Sequence, residues 1–208
     1  MARPLRLQAP GIYHVTCRGN RRQPIFTDDH DRERYLELLG AVSRKLGWRC
    51  LVYCLMSNHV HLVLDVPDRT LSRGMQLLSG RYAQAYNHRH GWIGHLFQGR
   101  FHSEAVEQEG HGLELTRYVP DNPRRAGIVK RAADWRWSSL RAVLGKARAP
   151  AFLDAGWTLR QFGSNIRRAR AAYDAFVQAA AGIRRLSGTG ISRGQTPGRV
   201  PPGRVPDD

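Results

Sequence analysis

From Gly11 to Val106 the apolar residues switch between a two-residue and a helical repeat, and that order of repeats restricts the fold more than any other feature. In Gly11–Cys17, Ile12, His14 and Thr16 alternate with Tyr13, Val15 and Cys17, which predicts a first strand before the basic turn Arg18-Gly19-Asn20-Arg21-Arg22. Thr27, Asp28 and Asp29 can cap a helix carrying Tyr35, Leu39, Val42 and Leu46, which Gly47 stops. Trp48 to Met56 is apolar on both faces, as a central strand is, and Ser57-Asn58 turns into a third strand from His59 to Val66. Leu71, Met75, Leu78, Tyr82 and Tyr86 form the stripe of a second helix, broken by Gly91 and Gly94, and Leu96 to Val106 predicts a fourth strand. The order is that of an α+β, ferredoxin-like βαββαβ sandwich with a central antiparallel sheet. Its first and third strands lie centrally, its two helices cover one face, and the other face is left for a ligand or a further helix.

Beyond this unit, Gly112 to Tyr118 reads as a helix whose end is bracketed by Pro120 and Pro123, and Trp135-Arg136-Trp137-Ser138-Ser139 begins a short one. After Pro150, Asn165 can cap a C-terminal helix with Ile166, Tyr173, Phe176 and Val177 on one face. From Ser187 the Gly, Pro, Arg and Ser content predicts a disordered basic tail. The expected organisation is therefore 1–148 as the main domain, 149–186 as a helical accessory segment in contact with the ligand, and 187–208 as the tail. No run of apolar residues is long enough to span a bilayer, the N-terminus lacks the apolar core of a secretory signal, and the cysteines Cys17, Cys50 and Cys54 make no disulfide framework. These features predict a cytoplasmic protein. The 208 residues carry 33 Lys and Arg against 17 Asp and Glu, a formal net charge of +16, and only Lys45, Lys130 and Lys146 are lysines. Guanidinium groups bind phosphate in a bidentate fork, so this balance points to a nucleic acid.

His59 and His61 lie two apart on a predicted strand and so project from one face, while Val60, Leu62 and Leu64 point into the core. Two imidazoles on a rigid strand begin a divalent-metal site. His88 and His90 repeat the spacing at a helix end, where it splays the side chains, and they read as a solvated or phosphate-contacting patch. Cys50 and Cys54 share a strand face without the spacing of a zinc site and read as core. Tyr118 and Asn122, four apart, share one face of a continuing helix among Arg117, Arg124 and Arg125. A phenol, with an ordinary pKa near 10, needs nearby cations to attack a phosphodiester. From spacing alone, a pair of histidines without a ligand and a merely packed tyrosine remain open.

The stretch Met56-Ser57-Asn58-His59-Val60-His61 resembles the HUH motif of single-tyrosine, IS200-like transposases. Arg117-Tyr118-Val119-Pro120-Asp121-Asn122-Pro123-Arg124-Arg125-Ala126-Gly127 is similar to the tyrosine helix of their REP-associated branch, as are Tyr13 to Asn20, Phe97 to His102 and Trp135 to Ser139. The resemblance runs from Pro10 to Leu144. It implies His59 and His61 as metal ligands, Asn122 as the third, and Tyr118 as the nucleophile that becomes joined to a DNA 5′-phosphate, leaving a free 3′-hydroxyl. It further implies Mg²⁺ or Mn²⁺ as cofactor, single-stranded or hairpin DNA as substrate, and a bacterial cytoplasm as location. Some relatives swap the tyrosine helix between subunits; the REP-associated branch is expected to act as a monomer. The chain departs from the pattern at Pro120, which removes an amide donor inside the helix, and at Asp121, which stands within reach of the metal. Arg18, Arg21, Arg22, Arg73, Arg81, Arg100, Arg124 and Arg125 are the candidate phosphate contacts, and Trp92, Phe97, Trp135 and Trp137 the candidate stacking platforms. A non-catalytic hairpin-binding module, or a phosphoesterase using water, are the rival readings.

Overall fold

The two central strands carry the histidines. In a computed structural model, which describes residues 9–107 and 109–186, β1 (Gly11–Arg18) and β3 (His59–Val66) pair antiparallel from Gly11↔Val66 to Arg18↔His59. β2 (Arg49–Leu55) and β4 (His102–Ala105) flank them, giving the order β2-β3-β1-β4. Tyr13, Val15, Cys17, Val60, Leu62 and Leu64 point to one face and share a core with α1 (Asp29–Leu46) and α2 (Leu71–His90). Every residue of the stripe Leu71, Met75, Leu78, Tyr82 and Tyr86 is buried there. Asp28 caps α1 by accepting the Asp31 amide, and Gly47 and Gly91 end the two helices in the left-handed conformation that glycine adopts without strain. The α+β sandwich with β1 and β3 central is the expected one.

The free face is taken by α3 (Glu109–Arg125), whose Leu115 and Val119 pack on Leu51, Val52, Cys54, Met56 and Val63. Three expectations are corrected. The fourth strand is short: Phe97 lies opposite Gly19 and His102 opposite Thr16, so five steps on one side match three on the other. This bulge turns Gln98 and Arg100 toward the histidine face. The tyrosine helix does not end at its prolines but runs through both to Arg125. The His88/His90 pair is only half a solvated patch: His88 is exposed, but Arg89 and His90 clamp α2 to the start of α1, with Arg89 Nη1 at 2.6 Å and His90 Nε2 at 3.1 Å from Asp31 Oδ1.

Residues after α3 close the outer edge of β2. Leu55 N donates to Trp137 O, Cys50 N to Phe152 O and Asp154 N to Cys50 O, which pairs an edge that would otherwise be open. α4 (Leu140–Val143), α5 (Ala155–Arg160) and α6 (Ile166–Leu186) follow, and Leu153, Leu159, Ala169, Tyr173 and Val177 belong to the same core as α1 and α2. The tail expected from Ser187 lies outside the described residues.

Candidate active site

His59 and His61 project from β3 toward α3 with ring centroids 5.0 Å apart and nearly perpendicular. Each has a partner for one nitrogen. His59 Nδ1 donates to Asn58 Oδ1 at 2.7 Å, and Asn58 is oriented by its own donation to Arg22 O at 2.9 Å. Arg21 and Arg22 hold consecutive positive φ values of 52° and 61°, a costly turn pinned by Gly19 N on Asn58 O and Ile25 N on Ser57 O. His61 Nδ1 lies 3.0 Å from His14 Nε2, with the rings stacked at 5.3 Å, and 3.5 Å from Thr16 Oγ1. Burial, then the neighbouring His59, His14 and Arg18, push the His61 imidazole down to about 3. Burial also lowers His59, helped by Arg18, and lowers His14 against the pull of Glu104. All three are neutral near pH 7, so Nε2 of His59 and, when Nδ1 carries its proton, Nε2 of His61 present lone pairs.

Tyr118 reaches this pair from α3. Its ring stands edge-on to His61 at 6.1 Å and to His14 at 6.5 Å, and the Arg125 guanidinium lies 4.8 Å from its centroid. Leu115 and Val119 fix the rotation of the helix by entering the core, which leaves Tyr118, three residues after Leu115, on the flank beside the histidines. Tyr118 is 37% exposed and opens into a cavity of about 650 Å³. His14, Thr16, Arg18, His61, Gln98 and Arg100 are among its lining residues, with the carboxylates of Glu104 and Glu114. The array can hold an anion at Arg18, Arg100 and Arg125 within reach of a phenol and two neutral imidazoles.

The remaining expected residues are dispersed. Asn122 Nδ2 donates to Tyr118 O at 2.9 Å and Val119 O at 3.2 Å, so Oδ1 is the atom left to act as a ligand. Asp121 is buried and gripped by Arg124 through two 2.6 Å bonds, and this pair lines a different cavity, so neither side chain reaches the histidines. Arg73 and Arg81 are exposed on α2, across the sheet from Tyr118. Trp137 is core and Trp135 donates to Leu55 O, while Phe97 packs on Tyr82; Trp92 alone of the four stays open, 56% exposed. The three cysteines are free and buried. No group of three or more His, Cys, Asp or Glu with metal-holding geometry exists among the described residues, so a cation here would draw on further oxygen donors beside the two imidazoles. Among the described residues no helix is long and apolar enough to cross a membrane.

The family described as "Transposase IS200 like" matches residues 9–122, more than half of the chain and the whole of the histidine and tyrosine region. The chain belongs to the IS200-like transposases. It is a transposase-type DNA-processing protein. A solved REP-associated tyrosine transposase bound to a REP hairpin shares its fold, with 19% identity and a TM-score of 0.58 over 73% of this chain and 90% of that one. A candidate transposase of Deinococcus radiodurans R1 aligns at 17% identity and a TM-score of 0.41, over 58% and 97% of the two chains. No curated protein sequence matches. Two features of the candidate site were missed by motif reading, the place of His14 beside His61 and the orienting role of Asn58. The signal for His14 was present: it shares a β1 face with Thr16, which pairs with His61.

Proposed function

We propose that this transposase cuts and joins single-stranded DNA beside a hairpin, with Tyr118 as the nucleophile. The observation that carries the reading is that Tyr118, His61 and His14 line one cavity with Arg18 and Arg100, with His59 5.0 Å from His61 and the Arg125 guanidinium 4.8 Å from the phenol ring. Tyr118 Oη attacks the scissile phosphorus, the new P–O bond replaces the bond to the 3′-oxygen, and the proton lost by the phenol is balanced by one gained on the leaving oxygen. The products are a 5′-phosphotyrosine and a free 3′-hydroxyl. Arg125 stabilises the developing phenolate, and Arg18 and Arg100 hold the flanking phosphates. Arg21 and Arg22 extend the phosphate track at the strained turn, while Arg73, Arg81 and Arg124 contribute only long-range attraction. His59, His61 and Oδ1 of Asn122 are the residues that would hold a divalent cation. When bound, Mg²⁺ or Mn²⁺ would polarise a non-bridging oxygen of the phosphate. Two imidazoles and an amide oxygen suit Mn²⁺ better than Mg²⁺, which demands a fuller oxygen shell.

Incubation with a hairpin carrying a single-stranded extension and Mn²⁺ gives a denaturant-stable protein–DNA adduct, less of it with Mg²⁺, and none after Tyr118→Phe. An adduct undiminished by Tyr118→Phe refutes the assigned nucleophile. Product release without an adduct points to water as the nucleophile, and hairpin binding with no cleavage points to a non-catalytic module. Binding to a REP-type hairpin, as in the solved relative, is the first substrate to try.

A further inference from the structure

We infer that Tyr173 of α6 is a positioning residue for the Tyr118 helix, because its hydroxyl supplies the hydrogen bond that Pro120 withholds. In an α-helix each carbonyl accepts the amide four residues on, and proline has none to give. Pro120 therefore orphans Thr116 O, and Pro123 orphans Val119 O, one on each side of Tyr118. Orphaned buried carbonyls need another donor. Each has one. Asn122 Nδ2 serves Val119 O from within the helix, at 3.2 Å. Tyr173 Oη, 57 residues away in sequence, donates to Thr116 O at 2.7 Å.

Both groups are fully buried, so water cannot take the place of the phenol. Burial raises the Tyr173 phenol far above its ordinary value, which keeps it a donor at any working pH. The brace is itself held in place. Phe162 packs on Tyr173 at 5.4 Å and on Phe176 at 5.5 Å, and the Arg117 guanidinium lies 4.8 Å from the Phe176 centroid. α6 thus grips α3 at Thr116 and Arg117, the two residues just before Tyr118, while Leu115 and Val119 grip it from the sheet. The buried face of α6 packs on the tyrosine helix, so a segment expected to touch DNA also positions the nucleophile. The consequence at Tyr118 rests on the function proposed above; the brace does not.

The test is a cycle on the full chain: Tyr173→Phe, Pro120→Ala and both together. Amide exchange over residues 113–122 and the rate of adduct formation on the hairpin are read in each, alongside hairpin affinity. Tyr173→Phe keeps the ring and removes the donor, so α3 exchange and the adduct rate each change by about tenfold, faster and slower respectively, while hairpin affinity stays as it was. Pro120→Ala restores a backbone amide for Thr116 O, so the double variant returns to within about twofold of the parent in both readouts. A double variant as impaired as Tyr173→Phe, or a Tyr173→Phe protein that exchanges like the parent, overturns the inference. Should Tyr173→Phe alone fail to fold, the double variant folds; if it too fails, the inference is overturned. If the parent forms no adduct, the proposed function fails while the exchange arm still decides the brace.

Discussion

Replacing His14 by phenylalanine tests whether the β1 histidine sets the nitrogen that His61 offers to the proposed metal. Phenylalanine keeps a planar ring beside His61 and Tyr118, so the 5.3 and 6.5 Å ring contacts survive in kind, but it cannot accept a proton. His61 Nδ1 then has only Thr16 Oγ1, at 3.5 Å, too long for a good bond. His61 is 8% exposed, so water does not replace the acceptor readily. Leaving one buried donor unsatisfied costs about 1–3 kcal/mol, and the ring can escape that cost by moving its proton to Nε2, where it blocks the ligand lone pair. Loss of such an orienting partner weakens metal binding by about 10–100-fold. Mn²⁺ titration of the metal-free protein at pH 7.5, followed by electron paramagnetic resonance, should therefore show Kd rising by about 10–30-fold in His14→Phe. DNA affinity measured without metal should be unchanged, since His14 carries no charge at that pH. A Kd within twofold of the parent would refute the reasoning.

Three further outcomes follow from other parts of the molecule. Asp31, 3% exposed at its side chain, joins Arg89, His90 and the Thr27 amide, so Asp31→Asn should lower stability by about 2–3 kcal/mol and Tm by roughly 5–10 °C in a thermal melt; an unchanged melt would show that the clamp is dispensable. Trp92 stands beside a cavity of about 390 Å³ lined also by His90 and His95, and one base stacked there is worth about 1–3 kcal/mol. Trp92→Ala should thus weaken binding of single-stranded extensions about five- to a hundredfold at every salt concentration, with no change in Tm, and equal affinity would remove it from the DNA path. The third concerns pH. The unfolded chain takes up a proton at His61 near 6.5 but the folded chain only near 3, so the unfolded state binds more protons between these values. Stability of the metal-free protein should be full above pH 6.5 and fall on acidification by up to about 1.4 kcal/mol per pH unit from this group; urea midpoints flat from pH 7 to pH 4 would contradict the buried, neutral His61.

Much of the site could be read from the chain because strand geometry is local. Alternation alone puts His59 and His61 on one face and Val60 and Leu62 on the other, whatever packs around them. The caps at Asp28, Gly47 and Gly91 and the stripe from Leu71 to Tyr86 are equally local, being set by residues within four positions of each other. Arginine use was not readable in this way. Arg124 and Arg125 are adjacent, yet one is spent on buried Asp121 and the other lies over Tyr118, a difference that depends on which side of α3 meets the core. Tryptophan use failed for the same reason, since Trp135 and Trp137 are consumed in closing the edge of β2 while Trp92 sits on a loop.

By itself the sequence determined the order of elements, the central place of β1 and β3, and a histidine face left uncovered by α1 and α2. The tertiary structure decided what covers that face and how. The two prolines of α3 predict a broken helix because nothing nearby in sequence supplies both missing amides, and the helix continues because Asn122 serves one carbonyl and Tyr173 the other. A hydrogen bond between groups 57 residues apart leaves no mark in local spacing, yet it determines whether Tyr118 lies on a continuous helix beside His61.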